Sequence, residues 1–386
     1  MSLYHKGNKI LIAPQNSATK LVFLVTAMPP QSIQSIQVNS RSNTFFKALR
    51  AVAITGVIYR HVYFPEYVVN LDFWDQHFLV LTYFLWGSFT VSLFIFLSGY
   101  FSASSFKKSG TIVFWKKRFM RLGIPFIFWS IFYIITKIIF VHHNYSCLDL
   151  VQVFLLGKAC IPFYFFIVLF QLILLTPLLF SQAKSRTHVW LPYVVSFLYV
   201  IAYGYGYMHY NLRSCQGLTP IRLFIPWLAL FWSGMLCNLY EHEFHNWLSR
   251  RKRLLLILTI CTYLFSFMSI MYLFHVRGIQ TTLAVRNLSV FTFIPINFLL
   301  FVLFLYRHTV IQNRLILLIG SYSYGIFLIH MLFLRCFSKL PVFQMLESFP
   351  VPYIIALTVT TLSGCVLTIW LVRKLFGEKQ VAWIGF

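Results

Sequence analysis

An arginine and a histidine stand eleven positions apart in one apolar stretch, Arg50-Ala-Val-Ala-Ile-Thr-Gly-Val-Ile-Tyr-Arg-His61. In an α-helix eleven steps of ~100° return to within ~20° of the start, and a rise of ~1.5 Å per residue separates the two by ~16 Å. Arg50 and His61 therefore share a face completed by Ile54 and Val57, one near the membrane edge and the other about half-way across. An ionisable residue at that depth is costly to keep and marks a functional site. A histidine that titrates near neutrality can take a proton from a hydroxyl or relay an acyl group. The plain alternative is a histidine that only hydrogen-bonds between helices.

A second intramembrane histidine ends Ile319-Gly-Ser-Tyr-Ser-Tyr-Gly-Ile-Phe-Leu-Ile-His330. Ser323 and His330 are seven apart and share a face, so they form either a polar seam between helices or one wall of an internal site. Phe94-Ile-Phe-Leu-Ser-Gly-Tyr-Phe101 closes another apolar run with the small pair Ser98-Gly99, which suits close helix approach. A basic run, Phe114-Trp-Lys-Lys-Arg-Phe-Met-Arg-Leu-Gly-Ile-Pro125, places Arg118 and Arg121 on one helix face. Inner loops are basic to fix topology, but an arginine fork also grips phosphate oxygens. Pro125 suits the first turn of the following span. The motif Glu241-His-Glu-Phe-His245 lacks a His pair at the i, i+4 spacing of a helical zinc site, so no metal is expected. Asp72 and Asp75 follow the first span in an outer loop.

The elements that position these residues are membrane helices. The chain is 59% hydrophobic and 10% charged, where a soluble domain is closer to half apolar and a quarter charged. Ten runs are long enough to cross ~30 Å of hydrocarbon: about 46–64, 79–101, 123–141, 161–180, 190–207, 222–240, 254–274, 288–306, 315–336 and 351–372. Gly87 and Gly99 allow the second to bend. Lysine and arginine alternate in density along these runs. With the N-terminus inside, 23 of the 32 fall on inner segments, which supports ten spans with both termini in the cytoplasm. The basic residues are dispersed among apolar runs, so topology and lipid explain them and nucleic acid does not. The fold expected is all-α and polytopic: a cytoplasmic, poorly ordered lead over 1–45, a membrane domain over 46–373 and a cytoplasmic tail over 374–386. Leu21–Met28 behind Lys6, Lys9 and Lys20 loosely resembles a signal peptide ending near Ala27, but cleavage there would invert the charge pattern. The seven cysteines show no metal spacing. Cys147, Cys160 and Cys215 fall in polar connections where a disulfide has weak support.

In order and spacing these segments resemble acyltransferase family 3, the bacterial membrane proteins that O-acetylate surface polysaccharides. Four features carry the likeness: Arg50 to His61; the Phe-rich run ending Ser98-Gly99-Tyr100; the segment Lys116–Pro125 with Arg118 and Arg121; and Ser323-Tyr-Gly-Ile-Phe-Leu-Ile-His330. The fourth span's Leu174-Leu-Thr-Pro ending is also similar, with Phe163-Tyr-Phe where Trp-Phe is usual. The resemblance implies an acyl-CoA donor, usually acetyl-CoA, on the cytoplasmic side of a bacterial inner membrane, and no bound cofactor. The acceptor implied is a hydroxyl of a cell-surface or lipid-linked carbohydrate. His61 and Arg50 are then the catalytic pair. Arg118, Arg121 and Lys117 bind the CoA phosphates, and Ser98, Tyr100, Ser323, Tyr324 and His330 line the passage. Arg60, directly before the motif histidine, departs from the pattern; it pairs with Glu66, Asp72 or Asp75, or meets the acceptor. The alternatives are a transporter or flippase for a lipid-linked sugar or small solute, and a membrane scaffold. Against transport, the chain shows no paired repeat and no broken-helix signature in matching halves.

Overall fold

Long apolar runs punctuated by glycine, proline and charge dictate helices, and the computed structural model is built of them. It describes residues 3–6, 9–12, 30–62, 73–142, 144–185, 188–210, 222–278 and 290–386. Two four-residue strands near the N-terminus, β1 (Leu3–Lys6) and β2 (Lys9–Ile12), pair antiparallel. The helices follow: α1 (Pro30–Val62), α2 (Phe73–Thr82), α3 (Ser88–Ser109), α4 (Thr111–Val141) and α5 (Cys147–Leu156). Then come α6 (Tyr164–Ser185), α7 (Leu191–Tyr210), α8 (Ile225–Leu239), α9 (Glu241–Arg250) and α10 (Lys252–Arg277). The last are α11 (Val290–Leu305), α12 (Arg314–Phe337), α13 (Pro341–Leu346), α14 (Pro350–Phe376) and the turn α15 (Glu378–Val381).

Among the described residues, six helices are long and apolar enough to cross a membrane: Phe89–Ser109, Thr111–Val141, Ile161–Ser185, Lys252–Val276, Arg314–Phe337 and Pro350–Phe376. Shorter apolar helices cover Cys147–Leu156, Leu191–Gly206, Ile225–Leu239 and Phe291–Leu305. The chain is thus a multi-pass helical membrane protein. α1 begins at Pro30, well before the expected start near 46. The second span, where Gly87 and Gly99 were expected to allow a bend, departs from regular α-helix in a π-helical turn, Tyr83–Gly87, joining α2 to α3.

The basic run differs from expectation in a second way. It forms the opening turns of α4, and Pro125 lies inside that helix, not at its start. Proline has no N–H, so the carbonyl four residues earlier loses its helical partner. That carbonyl belongs to Arg121, and the Tyr324 hydroxyl donates to it at 3.4 Å. Pro177 inside α6 works the same way: the freed Ile173 carbonyl accepts from Trp115 Nε1 at 3.1 Å. Neighbouring side chains satisfy what each proline releases, so both helices run on.

α1 is the central strut, packed by α3, α12 and α14. Close crossings use glycine where a side chain has no room. A Cβ on Gly99 would overlap the Phe231 carbonyl of α8, and one on Gly320 would overlap the Lys47 carbonyl of α1. The core falls into two clusters. One surrounds Ile54, Val57 and Ile58, toward His61; the other surrounds Phe45, Phe46 and Leu49, toward Arg50. Phe94 and Phe165 pack against both. The tail segment folds back onto the bundle: Phe386 is 7% exposed and lies against Trp129, whose indole N–H donates to the Ile384 carbonyl.

Candidate active site

α1 runs unbroken from Arg50 to His61, so the separation set by helical rise stands. The two residues open onto different cavities. Arg50 lines one of about 610 Å³, and with it stand the cations of Lys108, Lys117, Arg118 and Arg121. Ser98, Ser323 and Tyr324 add hydroxyls, and among the described residues no carboxylate lines this cavity. Side chains of α1, α3, α4 and α12 converge there because the basic turns of α4 are helical and lie beside the end of α3. Arg118 is tethered in place: its Nη2 donates to the Phe101 carbonyl at 2.8 Å, and its guanidinium lies over the Phe114 ring at 5.6 Å. The Arg50 guanidinium sits 4.9 Å from the centre of the Phe101 ring. Guanidinium forks held this way, with no carboxylate against them among the described residues, suit a polyanion such as a phosphate ester.

His61 lines a smaller cavity of about 230 Å³. Arg60, Tyr83 and Tyr164 are its other polar walls, and Val57 and Pro162 close it on the apolar side. Arg60 is turned toward the π-helical segment: its Nη1 donates to the Gly87 carbonyl at 3.3 Å and its guanidinium lies 5.9 Å from the Tyr83 ring. Of the three acids expected near it, Glu66 and Asp72 fall outside the described residues, as does Cys215. Cys147 and Cys160 are free thiols.

His330 stands behind His61 with ring centres 5.4 Å apart. It is fully buried, at 0% exposure. Its Nδ1 lies 2.9 Å from the Phe327 carbonyl and 3.2 Å from that of Ile326. A carbonyl only accepts, so Nδ1 carries the proton and Nε2 the lone pair. That Nε2 is buried with no hydrogen-bond partner among the described residues. A buried, unsatisfied acceptor beside a second imidazole is expensive to maintain and needs a reason.

Two residues expected to line the passage do not. His330 is sealed behind His61 and reaches neither cavity. Tyr100 points away: its hydroxyl donates to Glu241 at 3.4 Å and accepts from Arg307 Nη1 at 3.2 Å. Arg307, only 4% exposed, also forms an ion pair with Glu241. Glu241 thus supplies the counter-charge and Tyr100 a hydrogen-bond acceptor for a buried arginine, which is the usual condition for burying one. The same ion pair occupies Glu241 of the Glu241–His245 motif, and among the described residues no group of three His, Cys, Asp or Glu side chains is placed to hold a metal.

Tyr83, Tyr164 and Lys108 were not singled out from the sequence. Tyr164 belongs to the aromatic cluster opening the fourth span, which reads equally well as an interfacial belt. Gln171, the polar residue inside that span, is structural: its amide spans the Arg222 carbonyl at 2.8 Å and the Phe224 N–H at 3.0 Å.

A family model described as an acyltransferase domain matches residues 43–370. No curated protein and no solved structure matches the chain.

Proposed function

The chain belongs to acyltransferase family 3, and from that premise we propose that it transfers an acyl group from acyl-CoA to a hydroxyl of a carbohydrate at the cell surface or on a lipid carrier. The observation that carries this reading is the pair of cavities: one cationic and hydroxyl-rich, the other holding His61. The cationic cavity receives the CoA phosphates on Arg118, Arg121 and Lys117. Arg50 belongs to this donor side, because ~16 Å of helix separates it from His61. The acceptor hydroxyl enters the smaller cavity and gives its proton to His61 as its oxygen attacks the thioester carbon. Collapse of the tetrahedral intermediate breaks the C–S bond, the ester forms, and CoA leaves as a thiolate that takes up a proton.

His330 acts through His61. With its Nδ1 proton held by the Phe327 carbonyl, His330 has its Nε2 lone pair free to take the N–H of His61 when the acceptor binds, which would keep the other His61 nitrogen aimed at that acceptor, the role an orienting partner plays for a catalytic base. We place the protein in a bacterial inner membrane with ten spans, both termini and the donor cavity on the cytoplasmic side. The positive-inside distribution supports that orientation. The acyl group most in keeping with the family is acetyl, and no cofactor other than the donor takes part. A multi-span transporter or flippase would also place two cavities end to end. The test is the fate of label from acetyl-CoA supplied to the cytoplasmic face of membrane vesicles: alkali-labile label in glycan supports transfer, and solute movement without ester formation supports transport.

A further inference from the structure

The two cavities share three wall residues, Phe94, Phe165 and Phe327. They come from three different helices, α3, α6 and α12. Their rings touch in series: Phe94 to Phe165 at 6.3 Å, edge to face, and Phe165 to Phe327 at 5.4 Å, tilted. Phe166 braces Phe327 from behind at 5.7 Å. The layer is therefore one ring thick, with the cations on one side and His61 on the other. Phe94 and Phe165 also belong to the margins of both core clusters, so the layer coincides with the seam of the fold. No polar side chain is among the three.

Resting on the acyl-transfer reading, this geometry has a consequence for the donor. CoA held by the arginines cannot bring its thioester to His61 unless the acyl end passes these rings. A methyl-sized acyl group needs one ring to swing by a rotamer. A branched group needs more width than a single swing opens in a close-packed seam. A carboxylate-bearing group meets only apolar faces, and an unpaired charge is costly to desolvate. We infer that Phe94, Phe165 and Phe327 form an aperture that selects short, unbranched, uncharged acyl groups and excludes branched and carboxylated ones such as isobutyryl and succinyl. The aperture also keeps water in the larger cavity away from His61, so donor hydrolysis stays slow while no acceptor is bound.

The experiment compares acetyl-, isobutyryl- and succinyl-CoA as donors in membranes containing the full-length protein. Wild type is expected to transfer acetyl at least a hundredfold faster than either of the others. Phe165→Ala and Phe94→Leu are each expected to narrow the acetyl-to-isobutyryl ratio at least tenfold and to raise acceptor-independent hydrolysis of acetyl-CoA. Wild type that uses isobutyryl- or succinyl-CoA within tenfold of acetyl-CoA overturns the aperture whatever the variants do. Active variants with the wild-type ratio overturn it too. Wild type that transfers no acyl group from any donor sinks the acyltransferase reading itself, a different outcome from loss of selectivity.

Discussion

His61 and His330 face one another with ring centres 5.4 Å apart, and the Nε2 of His330 is buried without a partner among the described residues. The two come from helices far apart in sequence, α1 and α12, which pack along much of their length. The Phe327 carbonyl fixes the His330 tautomer, so the spare lone pair lies on the nitrogen not bound to the backbone. A positioning role follows. His330→Ala should lower the turnover number by roughly tenfold to a hundredfold, less than the ~10²–10⁴-fold a general base itself supplies, and leave the KM for acetyl-CoA near wild type. His330→Gln, whose amide can offer an acceptor near the Nε2 position, should recover a good part of the rate. Equal loss in both, with normal accumulation, would assign His330 to packing alone.

The donor cavity predicts a different kinetic pattern. Arg121 contributes charge to its mouth, and its side chain is exposed. Arg121→Ala should raise the KM for acetyl-CoA about tenfold with turnover little changed, the sign of lost uniform binding. The effect should shrink as salt rises. Arg118→Ala should add a fall in the amount of folded protein, because its guanidinium ties α4 to the Phe101 carbonyl of α3. Steady-state kinetics at two salt concentrations, with quantified expression, separate the two.

Arg60 is the cation on His61's side. It lines the smaller cavity and reaches the Gly87 carbonyl. Arg60→Ala should raise the KM for the acceptor several-fold while leaving the KM for acetyl-CoA unchanged, and Arg60→Lys should fall between. A change in donor KM of the same size would show that the two cavities are not separate binding compartments.

Tyr100 predicts stability, not catalysis. Its hydroxyl stands between Arg307 and Glu241. Tyr100→Phe should cost on the order of 1 kcal/mol, the typical worth of a lost hydrogen bond, and retain most activity. Arg307→Met should cost somewhat more, about 1–2 kcal/mol, because it removes the buried cation that both Tyr100 and the half-exposed Glu241 bind. Thermal unfolding in detergent measures both, and a large activity loss in stable Tyr100→Phe would return that residue to the site.

The Arg50–His61 relationship was legible because eleven steps of one helix fix both face and distance with no tertiary information. So were the close approach at Gly99 and a departure from regular helix before it. The basic run was harder. Pro125 reads as a helix start, and only the Tyr324 hydroxyl, two hundred residues away in sequence, lets the helix run through it. Tyr100 was placed by motif alone and His330 by the face it shares with Ser323, and neither says which way a side chain turns. The aromatic aperture left no trace in the sequence: three of 43 phenylalanines, on three helices, have no shared period to mark them. The cavities themselves arise from packing and were not visible either.

In the proposed reaction His61 takes the acceptor's proton during acyl transfer from CoA. The most direct measurement follows CoA thiol release and alkali-labile ester formation together, in vesicles supplied with labelled acetyl-CoA on the cytoplasmic face, for wild type and His61→Ala at matched expression. Wild type should form ester and thiol in equal amounts. His61→Ala should reduce both by at least a hundredfold while the protein still inserts. His61→Ala that retains a tenth or more of the wild-type ester formation would contradict the mechanism.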